Sequence, residues 1–119
     1  MNISQITSLF ILFSGETDIN RYQPLIDSAI AQVSRQLKEG VSSADIRLDY
    51  LCAAIANYRY SQLTCVKNKV AYTYAGTADE KGNSQLEFDL ARELMNEYYK
   101  AASELLYDDD FIFSGVYGG

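Results

Sequence analysis

Asp45-Ile46-Arg47-Leu48-Asp49-Tyr50-Leu51-Cys52-Ala53-Ala54-Ile55-Ala56-Asn57-Tyr58-Arg59-Tyr60 is the stretch on which the fold turns. Leu48, Leu51, Cys52 and Ile55 recur at the spacing of one helical face, and Leu63 and Val66 extend the stripe. Ala53, Ala54 and Ala56 are small, so another helix can approach this one closely. Tyr50, Tyr58 and Tyr60 lie partly off the stripe. Ser42 or Ser43 can cap the start, and Asp45 in the first turn suits the helix dipole. Lys67 and Lys69 finish the helix at its negative end. The spacing predicts a helix ending at about Val66, and a helix this apolar needs others around it.

Toward the N-terminus, Pro24 is expected in the first turn of a second helix, where its missing N–H costs least. Ile26, Ala29, Ile30, Val33 and Leu37 make its apolar face, and Gly40 is its expected left-handed cap. Ser14-Gly15-Glu16-Thr17-Asp18 is a turn whose Ser, Thr or Asp can cap that helix. Before it, Ile6, Leu9, Phe10 and Phe13 mark a short amphipathic helix facing inward. This apolar start has no basic leader region or A-x-A site and is too short to span a bilayer, so cytosolic synthesis is expected.

Toward the C-terminus, Val70-Ala71-Tyr72-Thr73-Tyr74 alternates β-branched and aromatic residues and predicts a strand or half a hairpin. Gly76 to Ser84 reads as a polar, flexible loop. The Val70, Tyr72 and Tyr74 set has no pairing partner in sequence. It would have to fold back on itself or pair with a neighbouring subunit, which makes it, with Asp79 and Glu80, a candidate subunit contact. A fourth helix starts at Asn83 or Ser84, with Glu87 completing a capping box. Leu90, Leu94, Tyr98, Ala101, Ala102 and Leu105 are its expected inner face, and Glu93, Glu97 and Lys100 its outer one. The predicted architecture is all-α: three longer helices and a short one, with a β excursion before the last.

That last helix is expected to run to about Leu106, directly into Tyr107-Asp108-Asp109-Asp110-Phe111-Ile112-Phe113-Ser114-Gly115-Val116-Tyr117. The tail is too short for a core of its own. Burying one large apolar side chain is worth roughly 1.5–3 kcal/mol, so Phe111, Ile112, Phe113, Val116 and Tyr117 should find a groove. That groove is on the same domain or on a neighbour, and the aspartates keep the tail soluble until it is reached. Residues 1–107 thus read as a helical domain, with its strand-and-loop insertion at about 68–83, and 108–119 as an arm.

A chain of 119 residues buries roughly two-thirds of its unfolded surface, enough for one core without metal or disulfide staples. Ten tyrosines stand against no tryptophan and no histidine. Tyrosine suits surfaces that are wet alone and buried in a complex, although core packing accounts for at least half of them. Without histidine the commonest general base, metal ligand and pH switch are missing. Cys52 and Cys65, thirteen positions apart in one helix, stand about 20 Å apart, beyond disulfide reach. They read as buried, reduced thiols. Residues 71–119 carry ten acidic and three basic side chains, a net −7, against −6 for the whole chain. Such a chain does not grip nucleic acid through phosphates.

No catalytic constellation emerges. Neither cysteine has an imidazole partner. Glu93 and Glu97 could offer two carboxylates to a metal, but the helical di-iron pattern needs a Glu-x-x-His. Gly76 and Gly82 stand alone, with no phosphate-cradling loop. Asp108 to Asp110 could meet a hard cation, but adjacent aspartates diverge in an extended chain. No cofactor and no metal are expected.

The segment from Asp45 to Tyr60, with Ala91-Arg92-Glu93-Leu94 through to Asp110-Phe111-Ile112-Phe113, resembles the head–tail connector proteins of tailed bacteriophages and prophages. These are small helical head-completion or adaptor subunits. An alanine-rich helix ending in Tyr-x-Tyr, a loop, then a long helix closing on acidic and aromatic residues carries the likeness. It covers about 70 of the 119 residues, and Val70 to Tyr74 with its following loop carries over least.

The resemblance implies a structural virion protein, not an enzyme, located in the neck between head and tail and made in the bacterial cytoplasm. Its partners would be a homo-oligomeric ring of about a dozen copies, the portal protein, and a tail or neck component. DNA would pass through without sequence-specific binding, and no membrane is involved. A channel-facing role for Val70, Tyr72, Tyr74, Asp79 and Glu80 is implied only by this resemblance. Two alternatives stand beside it: a tail-completion or other neck protein, and a carboxylate-metal helical enzyme, which metal analysis would reveal.

Overall fold

In the computed structural model the backbone is described for residues 1–75 and 78–107, and the side chains for 1–65 and 85–107. Among these residues there are four α-helices and no strand: α1 (Ile3–Ser14), α2 (Ile19–Gln36), α3 (Ile46–Ala75) and α4 (Ala78–Ala102). A single 3-10 turn, Ser103–Leu105, follows α4. The all-α expectation holds. The β excursion does not.

α3 is the centre, and α1, α2 and α4 all pack on it. Leu51, Cys52, Ala53, Ala54, Ile55 and Ala56 are each at most 1% exposed, so this part of α3 is buried on every side. A helix apolar all round belongs inside, and the alanines let its neighbours come close. Ile6, Leu9 and Phe10 of α1 and Tyr22, Ile26, Ala29 and Val33 of α2 fill the rest of the core. Phe13, Ile30 and Leu37 are only partly buried against it.

Aromatic rings tie the helices together. Phe10, Tyr22 and Tyr60, one each from α1, α2 and α3, form a cluster, with Tyr22 edge-on to Tyr60 at 4.9 Å. Tyr98 of α4 stacks on Phe13 at 5.9 Å and meets Tyr50 at 5.2 Å, and Tyr58 meets Phe88 at 5.4 Å. Each such pair adds about 0.5–1.5 kcal/mol beyond area burial. Five tyrosines therefore do core work here.

Several helix ends differ from the sequence reading. α2 begins at Ile19, so Pro24 lies inside the helix, past its first turn. Its entry is shaped by Glu16, whose carboxylate accepts the Thr17 and Asp18 amides at 3.0 Å each. Gly15 takes the left-handed conformation (φ 74) as the cap of α1. Gly40 is left-handed too (φ 80), but in the turn beyond α2, which ends at Gln36. α3 begins at Ile46, with the Asp45 carboxylate accepting the Arg47 amide at 2.9 Å in the role expected of Ser42 or Ser43.

The larger corrections concern the α3–α4 hairpin. Val70 to Tyr74, expected as a strand, continues α3 to Ala75. Gly76 to Ser84, expected as a loop, is helical again from Ala78, so Ser84 and Glu87 lie inside α4 and form no capping box. The reason is cooperativity: extending an existing helix adds one hydrogen bond per residue fixed, while a lone strand has no ladder to join. β-propensity is worth too little to override this.

α4 also turns a different face inward. Ala91, Met95 and Ala102 are buried, whereas Leu90 is 54% exposed and Ala101 is exposed. Leu94 and Tyr98 are intermediate. Small residues on α4 meet the alanine-rich α3, so the close approach selects Ala91 over the bulkier leucine beside it. Leu63 of α3 is likewise exposed.

α4 stops at Ala102, short of the expected Leu106. After the 3-10 turn the chain makes an antiparallel bridge between Leu106 and Leu37. Lys38 donates its amide to the Leu105 carbonyl at 3.0 Å, and Tyr107 donates to that of Gln36 at 2.8 Å. Leu105 and Leu106 are buried by this pairing.

Candidate functional site: a cleft between α1, α3 and α4

The residues singled out as an arm, Phe111, Ile112, Phe113, Val116 and Tyr117, lie outside the described residues. Val70, Tyr72 and Tyr74 fall near the end of α3 and Asp79 and Glu80 in the first turn of α4, so both sets belong to the helical hairpin by backbone. Their side chains lie outside the described set. Bundle packing accounts for the other end of the molecule, where the Arg47 guanidinium spans Asp45 at 2.9 Å and Glu104, joining the α3 start to the 3-10 turn after α4. That guanidinium holds the Asp45 carboxyl down at about 2.

A feature not anticipated from sequence lies where the end of α1 meets α3 and α4. A cleft of about 300 Å³ opens there, lined by Phe13, Asn57, Ser61, Glu87, Leu90 and Leu94 among others. α3 supplies the polar floor: Asn57 is 5% and Ser61 9% exposed. Among the described residues no hydrogen bond reaches the Asn57 side-chain amide. The walls are Phe13 and the leucines of α4. Leu86, 58% exposed, continues the apolar ridge one turn beyond Leu90.

Tyr60 also lines the cleft, and its hydroxyl donates to Glu16 Oε2 at 3.1 Å. Burial, then that hydrogen bond and the charges of Glu16 and Glu87, push the phenol up to about 12. The Glu16 carboxyl is held below its usual range, mainly by the Asp18 amide. Glu87 thus lines the cleft, and Glu16 stands behind it, joined to the Tyr60 hydroxyl. Arg21 is the nearby cation; it offsets Glu16 and lies over the Tyr22 ring at 5.6 Å.

Sequence periodicity assigns Leu90 and Leu94 to the core, whereas here both line the cleft. The only available signal for the cleft was the surplus itself: α4 carries more apolar positions than one inward stripe can use. Glu93 and Glu97 are exposed. Among the described residues no three His, Cys, Asp or Glu side chains group closely enough to hold a metal ion. Nor is any helix among them long and apolar enough to cross a membrane. Cys52 and Cys65 are buried and free, and burial with the nearby Asp49 charge pushes the Cys52 thiol up to about 12. A thiol held so far into its neutral form is a poor nucleophile.

Compared with protein-family models, curated proteins and solved structures, the chain finds no match in any of the three.

Proposed function

We propose that this protein is a non-catalytic structural subunit of a tailed-bacteriophage particle, a head–tail connector or adaptor. It assembles as a ring below the portal, extends the DNA channel and joins the head to the next tail component. The resemblance of residues 45–60 and of the last helix with its acidic and aromatic continuation supports this reading, and an all-α bundle is compatible with it. The observation that carries it furthest is the Asp108-Asp109-Asp110-Phe111-Ile112-Phe113 sequence, which begins immediately after Tyr107, whose amide is hydrogen-bonded to the last residue of α2.

In the assembled particle, Phe111, Ile112, Phe113, Val116 and Tyr117 anchor the subunit on the portal or on a sister subunit. The ordering of that segment is offset by burial of its aromatics. The excess of acid in residues 71–119 keeps DNA from adhering in the channel, since like charges prevent phosphate contacts. Truncation before Asp108 tests this directly. The shortened protein should fold and remain helical yet fail to complete heads, and Phe111→Ser with Phe113→Ser should do most of the same damage. Normal incorporation of the truncated protein into infectious particles would overturn the reading.

A further inference from the structure

We infer that the cleft between α1, α3 and α4 is a docking site for an extended peptide segment of a partner protein, apolar at its centre and basic at its flanks. The proposal goes beyond the connector reading and does not depend on the C-terminal arm.

The apolar content comes from the walls. Phe13, Leu90 and Leu94 enclose the cleft, and Leu86 prolongs it as an exposed ridge. Ser14, Asn57, Tyr60, Ser61, Thr64 and Glu87 also line the cleft, so apolar contact at the leucines is joined by polar contact along the floor. The floor specifies a main chain. Asn57 is more than nine-tenths buried, lines the cleft and has no hydrogen-bond partner among the described residues. Its amide atoms are not among the fully enclosed ones, so a ligand entering the cleft would replace water on them. Its carbonyl and NH₂ complement the N–H and C=O of one extended residue, with the Ser61 hydroxyl one helical turn away as a further polar contact.

Charge selects the flanks. Glu16 and Glu87 both lie close enough to Tyr60 to raise its pKa. By helical spacing, Glu93 and Glu97 share the exposed side of α4 with Leu86 and Leu90. Arg21 stands against them but is drawn toward Glu16 and the Tyr22 ring. A segment carrying lysine or arginine on either side of a leucine or phenylalanine meets this rim favourably. The chain's own tail does not, because three aspartates precede its aromatics.

The test uses the full chain, isotope-labelled, titrated with three synthetic peptides while NMR signals are followed. One has a leucine and a phenylalanine between two pairs of arginines. A second replaces the arginines with glutamates, and the third is residues 108–117. The basic peptide should move the Asn57 side-chain amide and the Leu90 and Leu94 methyl signals along one saturable course. The acidic peptide should bind about fivefold or more weakly, and Glu87→Gln, a change at an exposed position, should narrow that gap. Absence of localised shifts, equal binding of the two peptides, or an unchanged gap in Glu87→Gln would each overturn the proposal. So would tighter binding by the 108–117 peptide, which would give the cleft to the chain's own tail.

Discussion

Tyr107 donates its backbone N–H to the Gln36 carbonyl at 2.8 Å, so the last described residue of the chain is tied to the last residue of α2. The pairing sits one residue before the first aspartate of the tail. Whatever follows therefore starts from a fixed point at the end of α2, not from a fraying helix terminus.

This latch separates two truncations. Ending the chain after Tyr107 keeps the bridge and both buried leucines, so the urea midpoint should stay close to that of the full chain. Ending it after Ala102 removes Leu105 and Leu106, 9% and 1% exposed, along with the bridge. Loss of one buried leucine side chain costs about 2–5 kcal/mol. The shorter form should unfold at markedly lower urea by circular dichroism.

The Asp45–Arg47 pair makes a pH prediction. The Asp45 carboxyl is lowered from 3.8 to about 2, first by the Arg47 side-chain hydrogen bond and then by the Arg47 amide. A depressed carboxylate stabilises the fold above its unfolded value and loses that contribution as pH falls through the folded one. Melting temperature should therefore drop between about pH 4 and pH 2. Asp45→Asn should lower it at pH 7 and flatten the dependence across that window.

Cys52, wholly buried and with its thiol pushed up to about 12, should resist alkylation in the native state at pH 8 and react on unfolding. Cys52→Ala should cost about 1 kcal/mol or more through lost packing. Rapid native-state labelling of Cys52, read by mass spectrometry, would contradict its burial.

Met95 and Leu90 distinguish the observed face of α4 from the one expected from sequence. Met95 is 1% exposed and Leu90 54%. Met95→Ala should cost about 2–5 kcal/mol in chemical denaturation, as buried large-to-small changes do. Leu90→Ala should stay within about 1 kcal/mol, in line with surface substitutions. The reverse order would restore the leucine stripe to the core.

What sequence alone determined is the helical class, the short inward-facing α1, the α2 face at Ile26, Ala29 and Val33, the α3 face from Leu48 to Ile55, and the burial of both cysteines. These depend on local periodicity and residue size, which travel with the chain itself. Three features needed the tertiary structure. Whether Val70 to Tyr74 is strand or helix depends on having a partner strand, and without one α3 simply propagates. The face that α4 turns inward was ambiguous in a helix with surplus apolar residues, and the alanine-rich surface of α3 resolved it toward Ala91 and Met95. The cleft is a third case, because Phe13, Asn57 and Leu90 lie far apart in sequence and only helix packing brings them to one place. Periodicity records which side chains avoid water; which neighbour each one meets is decided by the packing of whole helices.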